Sequence, residues 1–361
     1  MSAGRAPSRS QRVRVLLGTT PMNIVAVAVA FVVGTAVVLL ATPQVIRLSH
    51  RLGLYDRIDH GKSHRGLKPR LGGVAMFVGA VLAMAAGLLI EGRYTFVKAV
   101  ISGVGFGLVF VVSLWDDIRG RPWWLRLIVQ AIGATAFALV TVRPFVWFSV
   151  PFFGTFSPGL WSYPIAVLWL MMTTNALNLI DGTDGLAAGI AAIAGTVLLV
   201  SAWKNGLMGP AMLAAVTVGV CVGFLPYNLP PARIFMGDAG ATLLGFTLGA
   251  SSYTGGGKNV GFMSLLIPIL VLAVPLSDVV GAIVRRSSRG DSIFEADQRH
   301  IHHVLLATGL GPRRTLILLY SVTAVLGATG LVLAGGPRNV VLLVAVSVGL
   351  GALFLMRSRG A

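Results

Sequence analysis

Long apolar stretches, broken at intervals by Pro, Gly and charged residues, run along nearly the whole chain. Most are about 18 residues or longer, enough for a helix to cross a hydrocarbon core roughly 30 Å thick. Read between the breaks, the pattern predicts about eleven spans, at 22–46, 71–90, 95–115, 123–142, 160–178, 185–203, 207–226, 239–254, 261–284, 315–334 and 338–356. The expected architecture is all-α: a polytopic integral membrane protein with a basic N-terminal tail at 1–21, one transmembrane domain at 22–356 and a short tail at 357–361.

Composition agrees. Of 361 residues 55% are hydrophobic and 11% charged, against about 25% charged in an average soluble domain. The 29 Lys and Arg against 12 Asp and Glu would suggest a nucleic-acid partner in a soluble chain. Here they call for no nucleic acid, because basic residues of membrane proteins gather in cytoplasmic loops facing anionic membrane lipids. Counting alternate connections puts nineteen Lys and Arg on one side (47–70, 116–122 with Arg126 beside it, 179–184, 227–238, 285–314 and the C-terminal tail) and six on the other, Arg93, Lys98, Arg143, Lys204, Lys258 and Arg338. The first side is therefore expected to be cytoplasmic. Arg5, Arg9, Arg12 and Arg14 conflict with that parity, which translation starting at Met22, or a first span placed wrongly, would resolve. The lone Cys221 excludes an intrachain disulfide and a cysteine-based metal site.

Eleven of the twelve acids fall on the presumed cytoplasmic side or at its boundary, leaving Glu91 opposite. Acids in or near a span are costly, so those that persist usually line a functional cavity. Asp116 and Asp117 end the third span, where a mere cap would favour a cation over an acid. Asn175, Asn178 and Asp181 recur every three residues on one helical face, and Asp184 follows across a Gly-broken turn. Asp238 lies between Gly237 and Gly240 at the start of the eighth span, and Asp278 sits within the ninth. Converging carboxylates make sense chiefly around a hard divalent cation or a cationic side chain, and without a Cys cluster Mg2+, or Mn2+, is the first choice.

Two basic stretches complement the acids. The loop HGKSHRGLKPRLGG at 60–73 offers Lys62, His64, Arg65, Lys68 and Arg70 to phosphate. The last long loop holds His300, His302 and His303 among Arg285, Arg286, Arg289 and Arg299; the guanidiniums favour an anion subsite over zinc. Carboxylate-held metal, Arg and His for anions, and a site at a membrane face together suit phosphoryl transfer with one lipid substrate. Acids at span ends without an internal repeat argue against a transporter, and no HExxH spacing supports an intramembrane zinc protease.

The segments PRLGG (69–73), DDIRG (116–120), NALNLIDGTDGLAAG (175–189), NLPPARIFMGDAG (228–240) and ADQRHIHHVLL (296–306) resemble, in order, the motif set of the polyprenyl-phosphate N-acetylhexosamine-1-phosphate transferase superfamily. HIHH and PRLGG resemble its WecA/TagO branch more than the phospho-N-acetylmuramoyl-pentapeptide transferase branch. The resemblance implies Mg2+-dependent transfer of a sugar 1-phosphate from a UDP-N-acetylhexosamine, most simply UDP-GlcNAc, to undecaprenyl or decaprenyl phosphate, with release of UMP. It places such an enzyme in the bacterial inner membrane with its site facing the cytoplasm, and is compatible with a homodimer. By the same resemblance Asp238 is the metal ligand, and Asp181 and Asp184 contact nucleotide and metal. Asn228 contacts the nucleotide, Asp116 and Asp117 attend to the lipid acceptor, and His300, His302 and His303 flank the sugar phosphate. Lys62 or Lys68 reaches the diphosphate. Ala241 stands where the commoner pattern has Ser.

Overall fold

The computed structural model describes residues 22–55, 68–92, 96–141, 148–150, 154–156, 159–254, 260–290 and 300–335. Among them are twelve α-helices: α1 (Ile24–Leu52), α2 (Gly72–Glu91), α3 (Phe96–Arg119), α4 (Trp123–Thr141), α5 (Ser162–Ile180), α6 (Leu186–Lys204), α7 (Met208–Asn228), α8 (Gly237–Thr254), α9 (Phe262–Val271), α10 (Ala273–Arg289), α11 (Ile301–Ala307) and α12 (Pro312–Leu333). Extended structure among the described residues is confined to a small patch and one isolated bridge, Tyr55 with Pro69. In the patch β1 (Phe148–Val150) pairs antiparallel with β2 (Gly154–Phe156) and parallel with β3 (Val260–Gly261). The all-α expectation holds with that minor addition.

Eight helices among the described residues are long and apolar enough to cross a membrane: α1, α2, α3 from Ile101, α4, α5 with its preceding turn, α6, α7 and α12. The protein is thus a multi-pass membrane protein. The predicted span at 338–356 lies outside the described residues, as does the basic tail at 1–21. Two other predicted spans are modified. The stretch 239–254 is α8, rich in Gly, Ser and Thr and buried over nearly its whole length against α2, α3, α5, α6 and α7. A helix walled by protein needs no lipid-compatible surface, which is why its apolarity is weak. The stretch 261–284 is two helices, α9 and α10, separated at Leu272 between Pro268 and Pro275. Pro275 sits in the first turn of α10, where its missing N–H leaves no bond unmade.

The first span also outruns its apolar limit. Asn23 caps α1 by accepting the N–H of Ala26 at 3.2 Å, and the helix continues to Leu52 before Gly53 turns it off at φ 65°. His50 and Arg51 in its last turn suit the negative end of the helix dipole.

Ion pairs and hydrogen bonds between the segments that join the helices bring the acid-bearing stretches together at one end of the bundle. There the chain leaves α3, α5 and α7 and enters α2, α4, α6 and α8. The segment before α2 pairs with the one before α8. Phe235 N–H donates to Pro69 O at 2.9 Å, Gly72 N–H to Phe235 O at 2.9 Å and Gly73 N–H to Met236 O at 2.8 Å. A Cβ on Gly73 would lie 2.5 Å from the nitrogen of Gly240, so only glycine lets the two backbones meet.

Candidate active site

Asp238 is the second residue of α8, and its place is set by Asp117 from α3. The carboxylate of Asp117 accepts the N–H groups of Asp238 and Ala239, both at 2.9 Å, satisfying donors that a helix start leaves open. Gly237, at φ 68°, makes the entry turn against that carboxylate.

Two guanidiniums knit the acids together. Arg70 places Nε 3.1 Å from Asp117 Oδ1 and Nη2 3.6 Å from Asp238 Oδ1. From the first turn of α4, Arg126 Nη1 lies 2.8 Å from Asp116 Oδ2 and 2.5 Å from Asp238 Oδ2. The chain then turns at Gly120, φ 63°, and the N–H of Arg121 donates to Asp116 Oδ1, while the Arg121 guanidinium lies 3.6 Å above the Trp115 ring.

The loop from α5 to α6 forms the other wall. Asp181 ends α5, its N–H donating to Asn178 O at 3.4 Å. Burial, then the carboxylates of Asp238 and Asp117, push its carboxyl well above the usual range; Arg70 opposes this and Asp184 adds to it. Asp184 Oδ2 accepts the N–H of Ala232 at 2.8 Å and lies 3.4 Å from Lys68 Nζ, so it ties this loop to both the Pro-rich loop and the basic loop.

Among the described residues, the five carboxylates of Asp116, Asp117, Asp181, Asp184 and Asp238 meet the three ion-paired heads of Lys68, Arg70 and Arg126. Asp181, whose carboxyl these neighbours push up, is the acid whose charge a divalent cation held by hard oxygen donors would most relieve. No three His, Cys, Asp or Glu among the described residues form a ready ligand set.

Residues 99–256 match glycosyl transferase family 4. The chain is 36% identical over 312 residues to the probable undecaprenyl-phosphate N-acetylglucosaminyl 1-phosphate transferase of Bacillus subtilis, an alignment that covers 86% of each. It is 36% identical over 285 residues to the decaprenyl-phosphate N-acetylglucosaminephosphotransferase of Mycolicibacterium smegmatis, covering 70% of this chain and 68% of that one. It is 27% identical over 293 residues to the undecaprenyl-phosphate alpha-N-acetylglucosaminyl 1-phosphate transferase of Yersinia pestis, covering 79% and 78%.

The chain belongs to glycosyl transferase family 4. Within this family 4 protein the acids Asp116, Asp117, Asp181, Asp184 and Asp238 converge, whereas the amides of Asn175 and Asn228 are engaged by other groups. Asn175 donates to Gln130 Oε1 at 2.7 Å and to Met171 O at 2.8 Å, bracing α4 against α5. Asn178 is half-buried one turn further on. Asn228 is buried, accepts the N–H of Gly185 at 3.1 Å and donates to Ile234 O at 3.0 Å. It thereby holds the Asp184 loop to the Pro-rich loop through the backbone.

His300, His302 and His303 lie at the start of α11, near Gly182 of the same wall. The His302 ring is buried, and burial first, then His303 and His300, push its pKa down to about 4, so it is neutral at pH 7. His303 is pushed down as well, by burial and by His300. Arg285 is half-buried near the end of α10. Lys62 and Arg299 lie outside the described residues.

Two residues, Arg126 and Asp278, escape the sequence reading as site residues, because their partners are decided in three dimensions. In the sequence Arg126 counts only as a loop charge, yet a cation in the first turn of a helix opposes the dipole and so signals an acidic partner. In the sequence Asp278 stands out only as an acid within a span.

Proposed function

We propose that the chain transfers N-acetylglucosamine 1-phosphate from UDP-GlcNAc to undecaprenyl or decaprenyl phosphate, releasing UMP, at the cytoplasmic face of the bacterial inner membrane. The observation that carries this reading is the Arg126-bridged pair of Asp116 and Asp238 at one end of a membrane bundle, in a chain whose relatives bear those transferase names. The excess of Lys and Arg in the connections at that end supports its cytoplasmic placement.

In the reaction an oxygen of the lipid phosphate attacks the sugar-bearing phosphorus of the UDP-sugar. The new P–O bond forms as the bond to the bridging oxygen breaks, and the electron pair leaves with UMP. Both reactants are anionic, so the protein's task is alignment and charge neutralisation. Asp238 and Asp181 would hold Mg2+, which supplies neutralisation of the diphosphate and polarisation of its phosphorus. Lys68 and Arg70, beside the acids, are placed to meet the phosphates of the donor. Asp117 is 1% exposed and occupied by the helix start, so of the acidic pair we assign Asp116 to the acceptor side, where it orients the attacking phosphate or takes its proton.

The test is UMP release by purified protein with C55 polyprenyl phosphate, Mg2+ and a panel of UDP-sugars. Release with UDP-GlcNAc is expected. Release with UDP-N-acetylmuramoyl-pentapeptide alone would move the chain to the muramoyl-pentapeptide branch. Exchange of labelled UMP into UDP-GlcNAc without lipid acceptor would replace direct attack by a phospho-aspartyl intermediate.

A further inference from the structure

Asp278 of α10 is 1% exposed, and both of its oxygens are engaged by the start of α11. Oδ2 lies 3.0 Å from His300 Nδ1, and Oδ1 accepts the N–H of Ile301 at 3.0 Å. A carboxylate has no proton to give, so Nδ1 of His300 must carry the hydrogen, and Nε2 faces the other way. The second contact caps α11.

What α11 carries is the reason this matters. The rings of His300 and His302 are parallel within 3°, their centroids 5.8 Å apart, and the His302 ring in turn lies 4.2 Å from that of His303. His302 packs directly on Gly182, where any Cβ would collide with its Nε2. Gly182 adjoins Asp181. Among the described residues, neither ring nitrogen of the buried His302 has a hydrogen-bond partner, and the buried hydroxyl of Thr183 has none either. Unmet buried polar groups of this kind are costly unless something else satisfies them. Here they lie along the loop that bears Asp181 and Asp184.

We propose that Asp278 is a positioning residue, which fixes the Nδ1–H tautomer of His300 and the start of α11 and so seats the histidine cluster on the Asp181–Asp184 loop. Asp278 itself touches no substrate; it acts through His300. The inference rests on the transferase reading for its kinetic readout but not for its spectroscopic one.

The experiment uses full-length protein in lipid nanodiscs. Solid-state 15N spectra of histidine-labelled wild type, with His300 assigned by its loss in His300→Ala, should show Nδ1 protonated. In Asp278→Asn the amide can accept from Ile301 only by turning its NH2 to His300, so Nδ1 should lose its hydrogen. A bare Nδ1 in the wild type overturns the proposal whether or not any variant folds. In kinetics, Asp278→Asn should lower kcat at least ~10-fold, the lower range for loss of a group that orients a site residue, with KM for UDP-GlcNAc changed less. The same substitution in a His300→Ala background should change kcat less than ~2-fold, because residues acting as one unit are non-additive. An equal fall in both backgrounds would mean that Asp278 acts independently of His300 and would overturn the proposal. If the wild type turns over no UDP-sugar at all, the transferase reading fails while the 15N result still decides this one.

Discussion

Asp117 accepts the backbone N–H of Asp238 at 2.9 Å, so an acid at the end of one membrane helix serves as the cap for the helix that carries another. Backbone bonds and Arg70 hold the two carboxylates close against their mutual repulsion. Position and charge can therefore be separated by substitution.

Asp117→Ala removes the acceptor for two N–H groups and should cost about 1–2 kcal/mol, the usual range for a lost cap. Asp117→Asn keeps one acceptor and should cost less. Both should lower activity at least ~100-fold, because either change lets Asp238 shift. Thermal unfolding in detergent, set beside UMP release, reads the two effects; equal destabilisation by Asn and Ala would refute the capping role.

Arg126→Ala should lower the maximal rate strongly, since Asp116 and Asp238 lose the guanidinium between them. The same change removes a cation that competes for Asp238, so the half-saturating Mg2+ concentration should fall. A Mg2+ titration of UMP release checks both signs. Arg126→Lys should recover little, because a point charge cannot reproduce the fixed fork.

Asp181 supplies a pH prediction. Its carboxyl is raised in the folded protein, so it binds its proton more tightly folded than unfolded. Its contribution to stability is present below the ordinary carboxylate value of about 3.9 and is lost as pH rises toward the raised value. Without divalent cations, Asp181→Asn should therefore raise the thermal midpoint at pH about 8 while abolishing activity. Added Mg2+ should stabilise the wild type there and the variant much less.

Gly73→Ala should destabilise by about 1–3 kcal/mol through overpacking, because the new methyl meets the Gly240 nitrogen at 2.5 Å and Met236 O at 2.8 Å. Gly103→Ala, in α3 with no atom near the added carbon, should be neutral or stabilising. Comparable losses in unfolding midpoint would show that the close approach of the two segments carries no weight.

Glu91→Gln should leave UMP release within ~2-fold, as Glu91 ends α2 away from the acid cluster, whereas Asp238→Asn should lower it at least ~100-fold, the scale of losing one group that stabilises transition-state charge. Equal losses would dissolve the site map.

The apolar pattern determined much of this protein by itself, since the need to bury backbone polar groups in lipid leaves a helix as almost the only choice for each long run. It also marked Asp116, Asp117, Asp181, Asp184 and Asp238, because acids at such boundaries are too costly to be incidental. Where the pattern misled, the cause was local. Apolarity cannot distinguish a continuous span at 261–284 from α9 and α10 joined at Leu272, nor reveal that α8 is shielded by protein on all sides.

Only the tertiary structure decided which partners these residues have. Asn175 and Asn228 share the look of ligand amides, yet they close on Gln130 and on backbone, because their helices meet neighbours there. Arg126 and Asp278 look like an ordinary loop charge and a stray acid until α4 and α10 bring them to Asp238 and His300. The physical reason is separation along the chain. Periodicity and the cost of charge act on each segment alone, whereas Asp117 is 121 residues from the helix start it caps, and no local preference encodes a bond of that span.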